Sequence, residues 1–195
     1  MSLRYNGSFF ADGHGSFGRE YEPRVTVRPV PAASLSVGLR VSTSASDTQW
    51  VTNQTDTKPH YVFARIDQTT VSFNVRVSYT MKPTLSLQLY AEPFVFAGDY
   101  SGFKELVDGR NPVYEHRYAP FAFDGNPDFN YRSFRTTNVL RWEYRPGSTL
   151  FVVWQQAREG VIPDGSFRFG RDFRDVFATP GRNVFLVKLA YWLNY

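Results

Sequence analysis

A period-two alternation of apolar and polar side chains constrains the fold of this chain more than any other feature, and it recurs in eight segments. Successive side chains of a β-strand point to opposite faces, so this period predicts strands that are apolar on one face and polar on the other. The chain is therefore predicted to be all-β. The alternation is clearest over residues 35–42, 71–80, 85–95 and 185–195, and it is weaker over 3–9, 24–28, 134–144 and 150–154.

The connections between these segments alternate in length. Short turns are predicted at residues 29–34, 81–84 and 146–148, and long loops at 12–19, 43–60, 97–129 and 157–183, with single helical turns at 101–107 and 171–177. Short turns at one end and long loops at the other are typical of membrane barrels. We expect an eight-stranded antiparallel up-and-down transmembrane β-barrel, with short periplasmic turns, long extracellular loops and both termini on the periplasmic side.

The second segment is the weakest strand prediction. Pro23 and Pro29 flank it, and proline cannot donate to a strand ladder, so it belongs at sheet edges and strand ends. A free edge at this strand would indicate an incomplete barrel.

Composition narrows the class of protein. No run approaches the roughly 18 apolar residues that a membrane helix needs. The absence of cysteine excludes disulfides and thiolate metal sites. The chain starts without a secretory signal, so we expect a processed start or a piece of a larger barrel protein, with residues 1–195 forming one domain.

The polar positions of the alternating segments carry more basic than acidic residues. We expect these side chains to form a charge network in the barrel lumen, because eight strands leave an interior just wide enough for side chains to fill. The alternative is a narrow anion-preferring path lined by unpaired arginines. The predicted lumen residues are Arg4, Glu22, Arg24, Arg28, Arg40, Arg76, Glu92, Arg135, Arg141, Glu143 and Lys188.

Aromatic residues make up 17% of the chain, and amphipathic rings prefer the headgroup level of a membrane. We expect a girdle with Tyr79, Trp142, Tyr144 and Tyr191 near the short turns and Tyr61, Phe63 and Trp154 nearer the long loops. Tyr191, Leu193 and Tyr195 also form a C-terminal aromatic pattern like the signal read by the barrel-insertion machinery.

The loops offer no motif for catalysis, so we expect no enzyme activity, no cofactor and no metal site. His14, His60 and His116 lack the spacing of a metal pair, and no nucleophile elbow is present. An aromatic platform for carbohydrate is an alternative to simple loop packing. Its candidate residues are Trp50, Tyr100, Tyr114, Tyr118, Phe121 and Phe123.

Several blocks resemble the C-terminal barrel of a family of large Gram-negative outer-membrane proteins. The most specific are RWEYRPGSTLF, within NVLRWEYRPGSTLFVVWQQ (138–156), and FLVKLAYWLN, within NVFLVKLAYWLN (183–194). The others are HYVFARIDQTTVSFNVRVSYTM (60–81), LSLQLYAEPFV (85–95) and FKEL (103–106). The resemblance implies a domain of unknown function that follows an N-terminal carbohydrate-binding module of the family-nine type.

These observations together predict a monomeric protein of the bacterial outer membrane with a structural or anchoring role. Its expected partners are the lipid bilayer, or detergent in its place, and the insertion machinery, with no nucleic acid. The alternative from another class is a soluble eight-stranded ligand-binding barrel of the lipocalin type, which would bury the apolar parity and expose the charged one.

Overall fold

A computed structural model describes residues 1–193 of the chain, which form a single antiparallel sheet with one helix. Within this described part the strands are β1 (Ser2–Ala11), β2 (Phe17–Val30), β3 (Ala33–Thr55), β4 (Pro59–Lys82), β5 (Leu85–Leu106), β6 (Tyr118–Pro120), β7 (Phe129–Arg145), β8 (Ser148–Ile162) and β9 (Gly181–Ala190). A 3-10 turn (Tyr114–Arg117) precedes β6, and helix α1 (Phe169–Ala178) lies between β8 and β9.

The sheet follows the predicted up-and-down order, with neighbours in space that are neighbours in sequence along β1–β5, β7, β8 and β9. These strands correspond to the eight alternating segments, so the all-β, antiparallel prediction is confirmed. In the described part of the chain there is also a ninth, short strand, β6, which pairs with the far end of β5.

The register of the strands places apolar residues opposite apolar residues and polar residues opposite polar ones across the sheet. On one face, which we call the apolar face, Leu35 lies opposite Val77 and Val77 opposite Leu89. On the other, the polar face, Ser36 lies opposite Arg76 and Arg76 opposite Tyr90. The apolar face continues through Leu87, Leu140, Val152 and Val187.

The sheet is open among the described residues. Within residues 1–193, strand β1 pairs only with β2, and β9 pairs only with β8, so these two strands are the sheet edges. Every residue of both strands is exposed.

The proline-flanked strand β2 is an internal strand of the sheet and not an edge. It pairs with β1 on one side and β3 on the other. The prolines act locally instead: the ladder with β3 omits Glu22 and Pro23 and shifts register between Val27 and Val30. The missing N–H of proline thus interrupts the ladder between β2 and β3, but β2 remains a strand.

The strands β3, β4 and β5 are much longer than predicted, at 23, 24 and 22 residues. Most of the loop predicted at 43–60 is strand, with only residues 56–58 in the connection. The loop predicted at 97–129 is shortened because β5 continues to Leu106, so the helical turn predicted at 101–107 was wrong. The helical turn predicted at 171–177 is confirmed within α1.

The short turns lie where they were predicted, between β2 and β3, β4 and β5, and β7 and β8. Gly147 has φ +75°, a left-handed value that favours glycine in the last of these turns. Ser2 pairs near the end of β2 and Ala190 near the start of β8. The N-terminal end of β1 and the C-terminal end of β9 therefore both lie on the short-turn side of the sheet.

Helix α1 packs on the apolar face, on the half of the sheet away from the short turns. Phe173 contacts Phe73 edge-on at 5.4 Å between ring centroids, and Phe177 lies 5.1 Å from Phe134. The buried apolar residues also lie in this half and include Val71, Val95 and Val176. None of the helices in residues 1–193 is long and apolar enough to cross a membrane.

Candidate functional site

The polar face carries every residue of the predicted lumen network on strands β1–β5 and β7–β9. Arg4 and Arg24 lie opposite each other, and Glu92 lies opposite Arg135. A cavity of about 260 Å³ opens on this face among β1–β4, and another of about 320 Å³ lies beside Arg76. The polar face is therefore recessed at the positions where the charges lie.

Only part of the predicted network forms ion pairs. Arg40 donates to Glu20 at 2.6 Å and lies 3.3 Å from Glu22. Arg141 pairs with Glu143 at 3.2 Å on the same strand.

The other predicted lumen bases have no carboxylate within ion-pair distance among residues 1–193. Arg76 lies over the ring of Tyr90, 5.5 Å from its centroid, and the Tyr90 hydroxyl donates to Glu92 at 2.5 Å. The bases without an acidic partner are Arg4, Arg24, Arg28, Arg76, Arg135 and Lys188.

One acidic member of the network, Glu20, was not among the predicted lumen residues. It has the same parity on β2 as Glu22, so extending the alternation by two residues would have found it. Asn74 was assigned to the polar parity but not to the network. It donates to the Tyr90 hydroxyl at 2.9 Å and so joins the same chain of hydrogen bonds.

The aromatic residues near the short turns lie on one surface. Tyr79 and Trp142 are 42% and 46% exposed, and Trp142 contacts Tyr144 edge-on. Tyr191, just past β9, accepts a hydrogen bond from Arg145 at 2.8 Å. Of the predicted insertion signal, Leu193 is 61% exposed, and Tyr195 lies outside the described residues.

The second set of girdle residues does not lie at one height along the sheet. Trp154 lies near the middle of β8, stacked on Phe185 with parallel rings 6.1 Å apart. Tyr61 and Phe63 lie near the opposite end of β4 from its short turn, and Phe63 contacts Tyr118. Tyr61 and Phe63 lie far from Trp154 along the sheet because β4 is longer than predicted.

A cluster of charged residues closes the far end of the β3–β4 hairpin. His60 Nδ1 contacts Glu105, and its Nε2 lies 3.2 Å from Asp56. The Glu105 carboxylate, more than any other group, raises the pKa of His60. Backbone N–H groups at Lys58 and Thr57 lower the pKa of Asp56 to about 2.

A second cluster joins this end of the sheet to the loops. Asp47 accepts from Lys104 at 2.5 Å and from the Tyr114 hydroxyl at 2.8 Å. His14 stacks on Tyr114 with 4.7 Å between ring centroids. Burial and the Asp47 carboxylate raise the pKa of Tyr114. Among the candidate sugar-platform residues, Tyr114 and Tyr118 are thus half-buried in packing, whereas Trp50 is 53% exposed.

The strongest buried electrostatic cluster of the described residues lies on the apolar face, and none of its residues was predicted as a site. Arg132 contacts Asp172 at 2.9 Å and Asp175 at 2.8 Å, and the Asp172 side chain is fully buried. Asp172 also accepts from Asn130 and Arg171 at 3.1 and 2.7 Å. The sequence did hold a signal for this cluster, because Arg132 occupies a position of β7 that the alternation predicts to be apolar.

The described residues contain no group of three or more His, Cys, Asp or Glu side chains arranged to hold a metal ion. On the polar face of these residues, guanidinium groups outnumber the carboxylates that accept from them.

Comparison with known proteins identifies the family. A family model described as a domain of unknown function, DUF5916, matches residues 3–195. The match covers nearly the whole chain, and so extends beyond the blocks that carry the resemblance in the sequence. No curated protein and no solved structure matches the chain. The chain therefore belongs to the DUF5916 family.

Proposed function

We propose that this chain is a β-barrel domain of the Gram-negative outer membrane, with a structural or anchoring role. The observation that carries the proposal is a continuous exposed apolar face. Val37 and Tyr79 are 38% and 42% exposed on inner strands, and Val187 is 66% exposed on β9. Soluble monomers rarely expose contiguous apolar patches larger than a few hundred Å².

The height of this face fits a bilayer. About ten residues of a strand tilted by roughly 40° rise about 25 Å, which is the height of the apolar band of outer-membrane barrels. Counted from the short turns, that band ends near Ser72 on β4 and Arg158 on β8. Helix α1 begins to cover the apolar face at this level, since Arg158 donates to the backbone oxygen of Phe177 at the end of α1.

Closure of the sheet into the eight-stranded barrel is part of the proposal. Strands β1 and β9 run in opposite directions and expose unpaired backbone groups. In lipid each unpaired backbone group costs several kcal/mol, so only closed barrels remove the edges. Pairing of β1 with β9 satisfies both edges and places the polar face inside.

The lumen of such a barrel is a narrow path that prefers anions. The supporting observation is the set of polar-face bases that no carboxylate neutralises among the described residues, including Arg28, Arg76 and Arg135. Rings and rows of basic side chains favour anion entry. The path is narrow because eight strands leave little interior space.

An arginine scan on one strand tests the membrane assignment. Val77 and Ser78 are adjacent on β4 and point to the apolar and polar faces. Val77 lies about 13 Å above the short turn, near the middle of the apolar band, where an arginine costs about 2–4 kcal/mol. We expect Val77→Arg to reduce folding into detergent micelles strongly and Ser78→Arg to fold nearly as well as the wild type.

Folding is read from the mobility difference between boiled and unboiled samples on a gel, with Ser78→Arg as the matched control. Equal tolerance of both substitutions contradicts the assignment of faces. A monodisperse monomer without detergent contradicts the membrane proposal and favours the soluble lipocalin-type barrel.

A further inference from the structure

Helix α1 lies across the strands of the apolar face. Its Phe169 ring is 6.2 Å from that of Phe73 on β4, and its Phe177 ring is 5.1 Å from that of Phe134 on β7. Beyond β7, Arg158 of β8 donates to the backbone oxygen of Phe177. A helix of ten residues is about 15 Å long, which is about three strand spacings. The helix therefore spans the sheet from β4 to β8.

The two long sides of this helix differ, and the phenylalanine side points toward the short turns. On β7, Phe177 contacts Phe134. The acidic side of the helix contacts Arg132, which lies two residues farther from the short turn, through Asp172 and Asp175. The side of α1 that faces the short turns is thus apolar, and the side that faces the other end of the sheet is charged.

The sheet covers the phenylalanine side only in part. Phe169, Phe173 and Phe177 are four residues apart and so share one side of the helix. Phe169 and Phe177 are 56% and 52% exposed. Their partners Phe73 and Phe134 each lie about ten residues from a short turn, at the end of the apolar band away from the turns. The exposed rings therefore continue the apolar band at that edge.

The helix also carries arginines whose charge is not neutralised within residues 1–193. The acids of this segment are already engaged, Asp164 by Arg171, and Asp172 and Asp175 by Arg132. Arg174 lies 3.4 Å from Asp175, which Arg132 contacts at 2.8 Å, and the Arg174 side chain is 77% exposed. Arg168 is also exposed and forms no ion pair within the described part of the chain. Both guanidinium groups remain available to an anion outside the chain.

A helix with exposed rings on one side and arginines elsewhere on its surface is typical of helices that lie in the interface of a bilayer. We propose that α1 binds the headgroup layer of the membrane and contacts anionic lipids there. Phe169 and Phe177 insert among the upper acyl chains, and Arg174 donates to a lipid phosphate, whose geometry its planar fork matches. Asp67 and Asp99 lie opposite each other beyond the helix, on its water side. The inference rests on the proposed membrane function and adds the lipid contact that sets the depth of the barrel.

The depth of α1 can be measured with a fluorescent probe on a single cysteine, because the chain contains no cysteine of its own. The full chain is folded into vesicles of phosphatidylcholine and phosphatidylglycerol that carry a nitroxide quencher, either near the headgroup or deep in the acyl chain. Ala178→Cys places the probe on α1 and keeps its phenylalanines. Val187→Cys places it on the apolar face of β9, and Asp124→Cys in an exposed loop.

The three positions should respond differently. We expect the shallow nitroxide to quench the probe at position 178 most, the deep nitroxide to quench the probe at 187 most, and neither to quench the probe at 124. If the probe at 178 is quenched no more than that at 124 while the probe at 187 is quenched, α1 lies outside the bilayer and the inference is overturned, but the membrane proposal stands. A probe at 187 that escapes quenching contradicts the membrane proposal, and the inference with it.

The lipid phosphate contact has its own test, with the shallow nitroxide carried by either phosphatidylglycerol or phosphatidylcholine. We expect the anionic lipid to quench the probe at position 178 more strongly. Arg174→Gln should reduce this preference by a factor of about two to five. Arg110→Gln removes the same charge from an exposed loop position and should leave the preference unchanged. Equal loss in both variants, or no preference in the parent protein, overturns the assignment of the lipid phosphate to Arg174.

Discussion

At the scale of single residues, His60 shows how the far end of the sheet depends on pH. It lies between Glu105 on β5 and Asp56 in the β3–β4 connection, and Lys58 lies 3.6 Å from the same Glu105 carboxylate. Hydrogen bonds to the two carboxylates raise the pKa of His60 above 6.5. The protonated ring donates to both acids and so joins β4, β5 and the connection.

The sign of the pH effect follows from these shifts. The contribution of His60 to stability is complete below its unfolded-state value of 6.5 and is lost as pH rises through its raised folded-state pKa. The contribution of Glu105 is present above 4.5 and is lost as pH falls through its lowered folded-state pKa. We therefore expect the hairpin end to be most protected from hydrogen exchange between these two values and to open above neutral pH.

Hydrogen exchange of residues 55–62 at pH 6 and pH 8.5, corrected for intrinsic rates, measures this effect. His60→Gln should abolish the pH dependence, and His14→Gln should retain it because His14 contacts Tyr114 outside the cluster. An unchanged pH dependence in His60→Gln would show that another group is responsible.

Single residues also mark the limit of the sequence prediction. The parity rule assigned Arg4 and Arg24 to one face, and the register places them there. It could not identify which acids pair with which bases, because pairing depends on the distances between rotamers across strands. Arg132 broke the parity rule, and its partners on α1 are 40 and 43 residues away in sequence.

At the scale of elements, the alternating pattern predicted strands well only where one face is apolar. Residues 43–60 are rich in Ser, Thr, Asn and Asp, so they were interpreted as a loop, yet β3 runs to Thr55 and β4 starts at Pro59. Polar side chains on both faces of a hairpin leave no period-two signal. This part of β3 is instead held in strand conformation by its hydrogen-bonded ladder with β4, which continues through two register shifts.

Helix α1 is the element whose attachment can be tested most directly. Its buried Asp172 binds Arg132 of β7 and accepts the backbone N–H of Arg168 at 2.7 Å. Removing one partner of a buried ion pair costs about 3–5 kcal/mol, and Asp175, which still contacts Arg132, favours the lower end of that range. We expect Asp172→Asn to detach α1 without unfolding the sheet.

Limited trypsin digestion measures the detachment, because Arg168, Arg171 and Arg174 lie in or beside α1. Cleavage at these sites should become much faster in Asp172→Asn. Asp124→Asn makes the same chemical change at an exposed loop position and should leave cleavage unchanged. Equal protection of α1 in both variants would show that the aromatic contacts alone hold the helix.

At the scale of the whole molecule, the two faces differ in the surroundings that would stabilise them, and the proposed membrane barrel would supply both. A non-aqueous neighbour would stabilise the apolar face, and water or counterions would stabilise bases of the polar face such as Arg76 and Arg135. An open sheet in water has only the second of these surroundings, and its edges β1 and β9 remain unpaired. The alternation and the turn lengths predicted the strand order, but closure depends on the pairing of strands that are farthest apart in sequence.

Closure and the charge of the lumen together predict an electrical property. A closed barrel with unpaired bases inside should give a small conductance in planar lipid bilayers, with a reversal potential in a KCl gradient that indicates preference for chloride. Arg76→Gln should reduce that preference because it removes a lumen charge. Arg174→Gln should not, because Arg174 is exposed on α1, which packs on the apolar face. Cation preference, or a conductance that both variants change equally, would contradict the anion path and leave the anchoring role as the remaining proposal.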